Sequence, residues 1–174
     1  MGIGALPVVS PGSITDTWDP TTNARGELGQ IFFYKNGDQY ALVEMIQLDN
    51  NGVSQGEVLV NNYATMKAYS VKKAATTDEG APMRGIAAAT IASQKAGYMY
   101  IGGWCEKADL SHTAASGEYL MISGSTAGKL TPHRASAFNI GTTVTDASDF
   151  MVLAVSRNAL ATGVGSVQIM SMWG

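Results

Sequence analysis

Short runs of alternating large side chains, separated by turn-forming residues, dominate the chain. In one run, Tyr98 and Tyr100 fall on one face of an extended segment, and Met99 falls on the other. Residues 119–122 alternate in the same way, and the small residues 124–128 that follow them favour a turn. The pattern predicts a strand, a crossing loop and a second strand.

Several other segments have the same character. Residues 30–34 and 39–47 flank Asn36-Gly37, a dipeptide that favours the tight turn of a hairpin. The alanine-rich segment 86–95 is compatible with a helix, but its flanking glycines favour a strand. Further strands are predicted at residues 57–60, 67–71, 150–156 and 166–172.

About ten short strands with frequent turn signals predict an all-β fold, organised as a single β-sandwich or β-barrel-like domain. The sequence shows no internal repeat of fixed period. A chain of 174 residues is long enough for one domain with a sizeable core.

The N-terminal residues 1–29 follow neither a strand nor a helix period and contain three prolines. They predict an extended N-terminal arm that precedes a β-rich domain at residues 30–174. The arm carries apolar side chains that would gain free energy by docking, which makes them candidate partner-binding residues: Leu6, Val8, Val9 and Trp18. For Trp18, the alternative is that the indole folds back on its own domain.

Charged residues make up only 14% of the chain, against 45% hydrophobic residues. Such a surface is either partly covered by other subunits or formed by the abundant small residues. The net charge of −3, with no basic cluster, argues against nucleic acid as a direct partner. The sequence shows no apolar run long enough to span a membrane and no basic segment followed by an apolar run at the N-terminus. We therefore expect a cytoplasm-like compartment, or something assembled there.

Motifs that would carry chemistry are incomplete. The glycines of Gly124–Lys129 are one residue too close for a phosphate loop, and Leu130 replaces the hydroxyl residue that should follow the lysine. The turn at 49–52 lacks the spacing of a calcium loop. His112 and His133 have no metal-binding spacing, and Cys105 is a single cysteine beside Trp104. We therefore expect no catalytic residue, no metal and no cofactor.

The aromatic side chains leave two possibilities open. Tyr98, Tyr100 and Trp104, together with Tyr119, would form a platform for stacking sugars if they shared an exposed face. Otherwise they fill the core and an interface between subunits. We include Tyr98, Tyr100 and Trp104 among the candidate partner-binding residues.

Several phrases between Gly29 and the C-terminus share a glycine entry, a short strand and a small-residue turn: Gly29-Gln30-Ile31, Asn36-Gly37-Asp38-Gln39-Tyr40, Gly56-Glu57-Val58-Leu59-Val60, Arg84-Gly85-Ile86-Ala87-Ala88, Ala96-Gly97-Tyr98-Met99-Tyr100-Ile101-Gly102-Gly103 and Ser116-Gly117-Glu118-Tyr119-Leu120. In these phrases the chain resembles the small β-structured virion proteins of tailed bacteriophages, particularly head decoration or cement proteins.

The resemblance implies a non-enzymatic structural protein of the virion. Such a protein is made in the cytoplasm of a bacterial host, binds the major capsid protein at the capsid surface and stabilises contacts between capsid subunits. It also implies a homo-oligomer, with a trimer favoured. The alternative is a tail- or fibre-associated domain that binds carbohydrate.

Overall fold

The computed structural model describes residues 13–22, 25–49, 51–64, 69–78, 82–133 and 154–170. These residues confirm the all-β prediction, because they form ten strands in one mixed sheet and no α-helix. The strands are β1 (Ile31–Asn36), β2 (Gln39–Leu48), β3 (Val58–Asn61), β4 (Ser70–Lys73), β5 (Gly85–Ala87), β6 (Ala96–Leu110), β7 (Tyr119–Ile122), β8 (Leu130–Pro132), β9 (Ala154–Ser156) and β10 (Gly163–Ile169).

The strand pairings form two closed circuits that share β6. In the first, β2 pairs with β4, β4 with β3, β3 with β5, β5 with β6, and β6 with β2. In the second, β6 pairs with β8, β8 with β7, β7 with β9, β9 with β10, and β10 with β6. We call the first circuit, with residues 96–102 of β6, the first unit. The second circuit, with residues 103–110, is the second unit.

The two units have the same topology. In each, the first strand pairs in parallel with the third, and every other pairing is antiparallel. The register also repeats, since Val58 opposite Ile86 in the first unit corresponds to Tyr119 opposite Val155 in the second. The described strands therefore form an internal structural duplication, although the sequence shows no repeat of fixed period.

The turn that leads into the second strand of each unit shows the duplication in atomic detail. A glycine with positive φ, Gly56 (+89°) or Gly117 (+78°), precedes a glutamate. The carboxylate of that glutamate, Glu57 or Glu118, accepts a hydrogen bond of 2.7 Å from the backbone N–H three residues earlier. Positive φ disfavours side chains with a Cβ, so the turn requires glycine at this position.

Strand β6 is longer than predicted, because residues 102–103 do not end it. Gly103 adopts φ +79°, and a Cβ there would collide with the carbonyl oxygen of Tyr40. The register against β2 shifts beside it, between Leu42 and Val43. The glycine pair thus acts as a bulge within a strand, which lets one strand pass from the first unit into the second.

The other predicted strands agree with the structure to different degrees. The hairpin of β1 and β2 is confirmed, and Gly37 in its turn has φ +57°. Segment 86–95 forms no helix, but its strand is limited to Gly85–Ala87 and a single bridge from Ile91 to Val53. Predicted strand residues 67, 68, 150–153, 171 and 172 lie outside the described residues.

The core consists of two clusters, and the alternation in β6 separates them. Tyr98 and Tyr100 belong to the larger cluster, whereas Met99 and Ile101 belong to the smaller one. This confirms the predicted alternation. Ile14, from the predicted arm, also lies in the larger cluster.

Candidate interaction surface

Trp18 packs on its own domain. Its side chain is 5% exposed, and its backbone forms two hydrogen bonds with Ala96, of 3.1 and 2.8 Å. The indole lies 5.3 Å from the ring of Tyr98, and the guanidinium of Arg25 lies 5.9 Å from the indole centroid. Of the two possibilities for Trp18, the structure has the indole folded back. Leu6, Val8 and Val9 lie outside the described residues.

The three other aromatic candidates do not share one exposed face. Tyr98 and Tyr100 are buried, and burial raises the pKa of both hydroxyls. Trp104 is half-buried, with the guanidinium of Arg157 lying 5.5 Å from its ring centroid. A sugar-stacking platform of these three rings is therefore absent from this conformation.

The duplication identifies a different surface, because one row of side chains runs across four strands in each unit. Residues directly opposite one another across a sheet point to the same side. In the first unit, the row is buried throughout and consists of Val43, Tyr100, Ile86 and Val58. We call it the first row.

The corresponding row of the second unit is open to solvent. It consists of Trp104, Gln168, Val155 and Tyr119. Three of its side chains are half-buried, and Tyr119 is 53% exposed. We call it the second row. Val155 and Gln168 were not among the residues considered for a site, because only the strand register brings them next to Trp104. Tyr119 was considered only as a further ring of the sugar-stacking platform.

The second row is uncharged, and the guanidinium of Arg157 borders it. Arg157 lies over Trp104 and donates a hydrogen bond of 3.4 Å to Oε1 of Gln168. Aromatic and aliphatic groups with one arginine are typical of surfaces that bind proteins. This arrangement can hold an apolar segment through contact area and can donate hydrogen bonds to its carbonyl groups.

A polar cleft of about 470 Å³ lies on the first unit. Lys95 and Asp19 form an ion pair of 2.7 Å there, and the hydrogen bond from Lys95, with those from Thr21, holds the pKa of Asp19 below its usual range. Gln94 has φ +62° and donates its backbone N–H to the carbonyl of Asp49. These contacts fix the turn before β6.

Glu44 is the most buried carboxylate among the described residues, with 1% exposure. Arg84 donates a hydrogen bond of 2.7 Å to its Oε1. Burial raises the pKa of Glu44, although the charge of Arg84 opposes the shift. The pairing registers make Cys105 the counterpart of Glu44 in the second unit.

The thiol of Cys105 and the loop around Gly128, both considered for chemistry, make structural contacts. The thiol of Cys105 is buried, which raises its pKa to about 12, and it donates to the carbonyl of Lys107. Gly128, in the loop tested as a phosphate loop, hydrogen-bonds through its backbone to Val58 and Ala74 of the first unit. Its role here is to join the two units.

Within the described ranges, no three His, Cys, Asp or Glu side chains come together as a metal site. No helix in the same ranges is long and apolar enough to cross a membrane.

Comparison with known proteins does not assign a family. No protein-family model matches the chain, and no curated protein shows significant similarity to it. The candidate surface therefore rests on the structure alone.

Proposed function

We propose that the protein is a non-enzymatic structural component of a tailed-phage virion, and that it decorates the capsid as a cement protein. On this proposal it binds the major capsid protein at the outer surface and assembles with copies of itself, a trimer being favoured. Its place is the virion, after synthesis in the bacterial cytoplasm.

The observation that carries the proposal is the uncharged second row on the outside of an otherwise packed β scaffold. A rigid sheet holds four neighbouring side chains of the row in fixed register, which suits binding by contact area rather than by charge. The scarcity of charged residues, 14% of the chain, supports the same conclusion. Repeated weak contacts of this kind add up over a symmetric shell.

Co-sedimentation tests the proposal. Purified protein is mixed with shells assembled from the major capsid protein of the same phage, and bound protein is measured against its concentration. We expect saturable binding and shells that withstand higher temperature. Binding that does not saturate, or none at all, contradicts the proposal. Tyr119→Lys should weaken binding, because it places a charge in the second row, which carries contacts of the assembled layer. Tyr63→Lys, at an exposed position outside the row, is the matched control.

A further inference from the structure

The duplication gives Ala96 a counterpart in the second unit, Val164. Ala96 pairs with Gln47 of β2, and Val164 pairs with Asp109 at the corresponding place in β6. The next residue is a glycine in both cases. A Cβ on Gly97 would collide with the side chain of Ile91, and a Cβ on Gly165 would collide with that of Leu160.

Ile91 and Leu160 are themselves counterparts, since each forms the bridge to the turn that precedes the second strand of its unit. Ala96 and Val164 therefore occupy equivalent positions in the two units. Their strand registers correspond, a glycine follows each of them, and that glycine packs against equivalent side chains.

The two positions differ on the side of the strand that faces away from Gln47 and Asp109, their partners in the sheet. The backbone of Ala96 is paired on that side with Trp18, whose indole covers Tyr98. For Val164, no second strand partner exists among the described residues. Its side chain is 61% exposed. Within the described ranges, the second unit thus has no counterpart of the extended segment that covers the first.

From these counterparts we infer that residues 1–12 of a second copy of this chain dock beside Val164 and over the second row. The first unit indicates the kind of occupant: an extended segment that pairs with the sheet at one residue and covers the outer side with an apolar group. This mode adds a strand-like segment to an open sheet position.

Residues 1–12 have the chemistry that such a position requires. They contain no charged side chain, and they carry Ile3, Leu6, Val8 and Val9. They directly precede the segment of Ile14 and Trp18 that covers the first unit. Twelve extended residues reach about 40 Å, which is enough to span to a neighbouring molecule.

A second copy is the inferred source because, among the described residues, no segment of the same chain pairs with Val164 as the segment of Trp18 pairs with Ala96. In the first unit, the segment with Trp18 and strand β1 precede β2. The strand of the second unit that corresponds to β2 instead continues directly from the first half of β6. Each copy would then contribute its residues 1–12 to a neighbour and bind the residues 1–12 of another copy beside its own Val164. Such an exchange closes as a reciprocal dimer or as a ring.

This inference goes beyond the proposed function, and its test contains no capsid particles. Two variants separate donor from acceptor: deletion of residues 1–12, and the double substitution Tyr119→Lys with Val164→Lys. Both acceptor positions are exposed, so the substitutions leave the core intact. Tyr63→Lys is the matched control, and circular dichroism confirms that each variant is folded.

Sedimentation equilibrium measures self-association of the full chain and of each variant. We expect the full chain and Tyr63→Lys to associate equally, and each of the two variants to associate at least about tenfold more weakly. An equimolar mixture of the two variants should form a 1:1 complex, because one retains the face and the other the segment.

Three results would overturn the inference. The first is a full chain that stays monomeric at all concentrations, which includes the case where residues 1–12 cover the face of their own chain. The second is a mixture of the two variants without a complex. In the third, Tyr63→Lys weakens association as much as the acceptor variant does, which would place the contact elsewhere.

Discussion

The first and second units share every strand pairing but differ in burial. In the first unit, side chains on both faces of the sheet are buried, whereas in the second unit only one face is buried. Ile86 in the first row is fully buried, whereas its counterpart Val155 is half-buried. Backbone pairing therefore specifies the topology of a unit. The segments that pack against the unit determine which faces of its sheet are buried. Here the surroundings of the first unit include Trp18 and Phe32, both within ring-contact distance of Tyr98.

Strand β6 shows the contrast within one segment. All residues from 96 to 102 are buried, whereas exposed and half-buried residues appear between 103 and 110. Burial on both faces favours a continuous apolar run, and burial on one face favours alternation. The sequence of β6 changes character where the strand leaves the first unit.

The largest difference between the units is expected from truncation in the two rows. Ile86→Ala should lower the free energy of unfolding by about 3 kcal/mol, because it leaves a cavity in a fully packed site. Val155→Ala should cost less than about 1 kcal/mol, since its site is open to water. Urea denaturation measures both. Equal losses would mean that the second row is covered in the folded protein.

A smaller difference is expected where the units differ by one methyl group. Gly85 pairs with Leu59, and its counterpart Ala154 pairs with Leu120. In Gly85→Ala, the new Cβ would collide with the carbonyl oxygen of Tyr100, and we expect a loss of about 2 kcal/mol from overpacking.

The reverse change, Ala154→Gly, introduces no collision. It should cost about 1 kcal/mol through backbone entropy and the lost methyl group. Thermal unfolding of the two variants, followed by circular dichroism, compares them. A stabilising effect of Gly85→Ala would show that the first unit has room to relax there.

The smallest effect concerns Glu44, which stands where the second unit has Cys105. Burial raises the pKa of Glu44 in the folded state above the ordinary value of 4.5. Its contribution to stability is therefore complete below pH 4.5 and is lost as the pH rises through the folded-state pKa. Glu44→Gln is neutral at every pH and lacks this loss.

Urea titrations at pH 4 and pH 7 measure the stability of both proteins. The variant should gain relative to the unmodified chain as the pH rises. A relative loss for Glu44→Gln over the same range would mean that attraction to Arg84 outweighs the cost of burying the carboxylate.

Local pattern predicted the parts of the fold that depend on local rules. The turn at Asn36-Gly37 and the alternation of Tyr98 with Met99 are confirmed, because turn geometry and strand period are properties of a few neighbouring residues. The length of β6 was not predictable in this way. A glycine pair such as Gly102-Gly103 is typical of a strand end, and only the carbonyl of Tyr40 packed against Gly103 explains the continuation.

The duplication and the second row could not be predicted from the sequence, for a related reason. The two turns share the Gly-Glu of 56–57 and 117–118 and little else. The connection after β4 spans residues 74–84, but the one after β8 spans residues 133–153, so no constant period relates the units. The second row depends on pairing across four strands, which is long-range information that a linear pattern does not carry.

The shared strand has a consequence for how this molecule can change. Any cut that assigns β6 to one half deprives the other half of a partner for two of its strands, β2 and β5 in one case, or β8 and β10 in the other. An exchange of one unit alone, by recombination or by design, would therefore leave the remaining unit with unpaired strands.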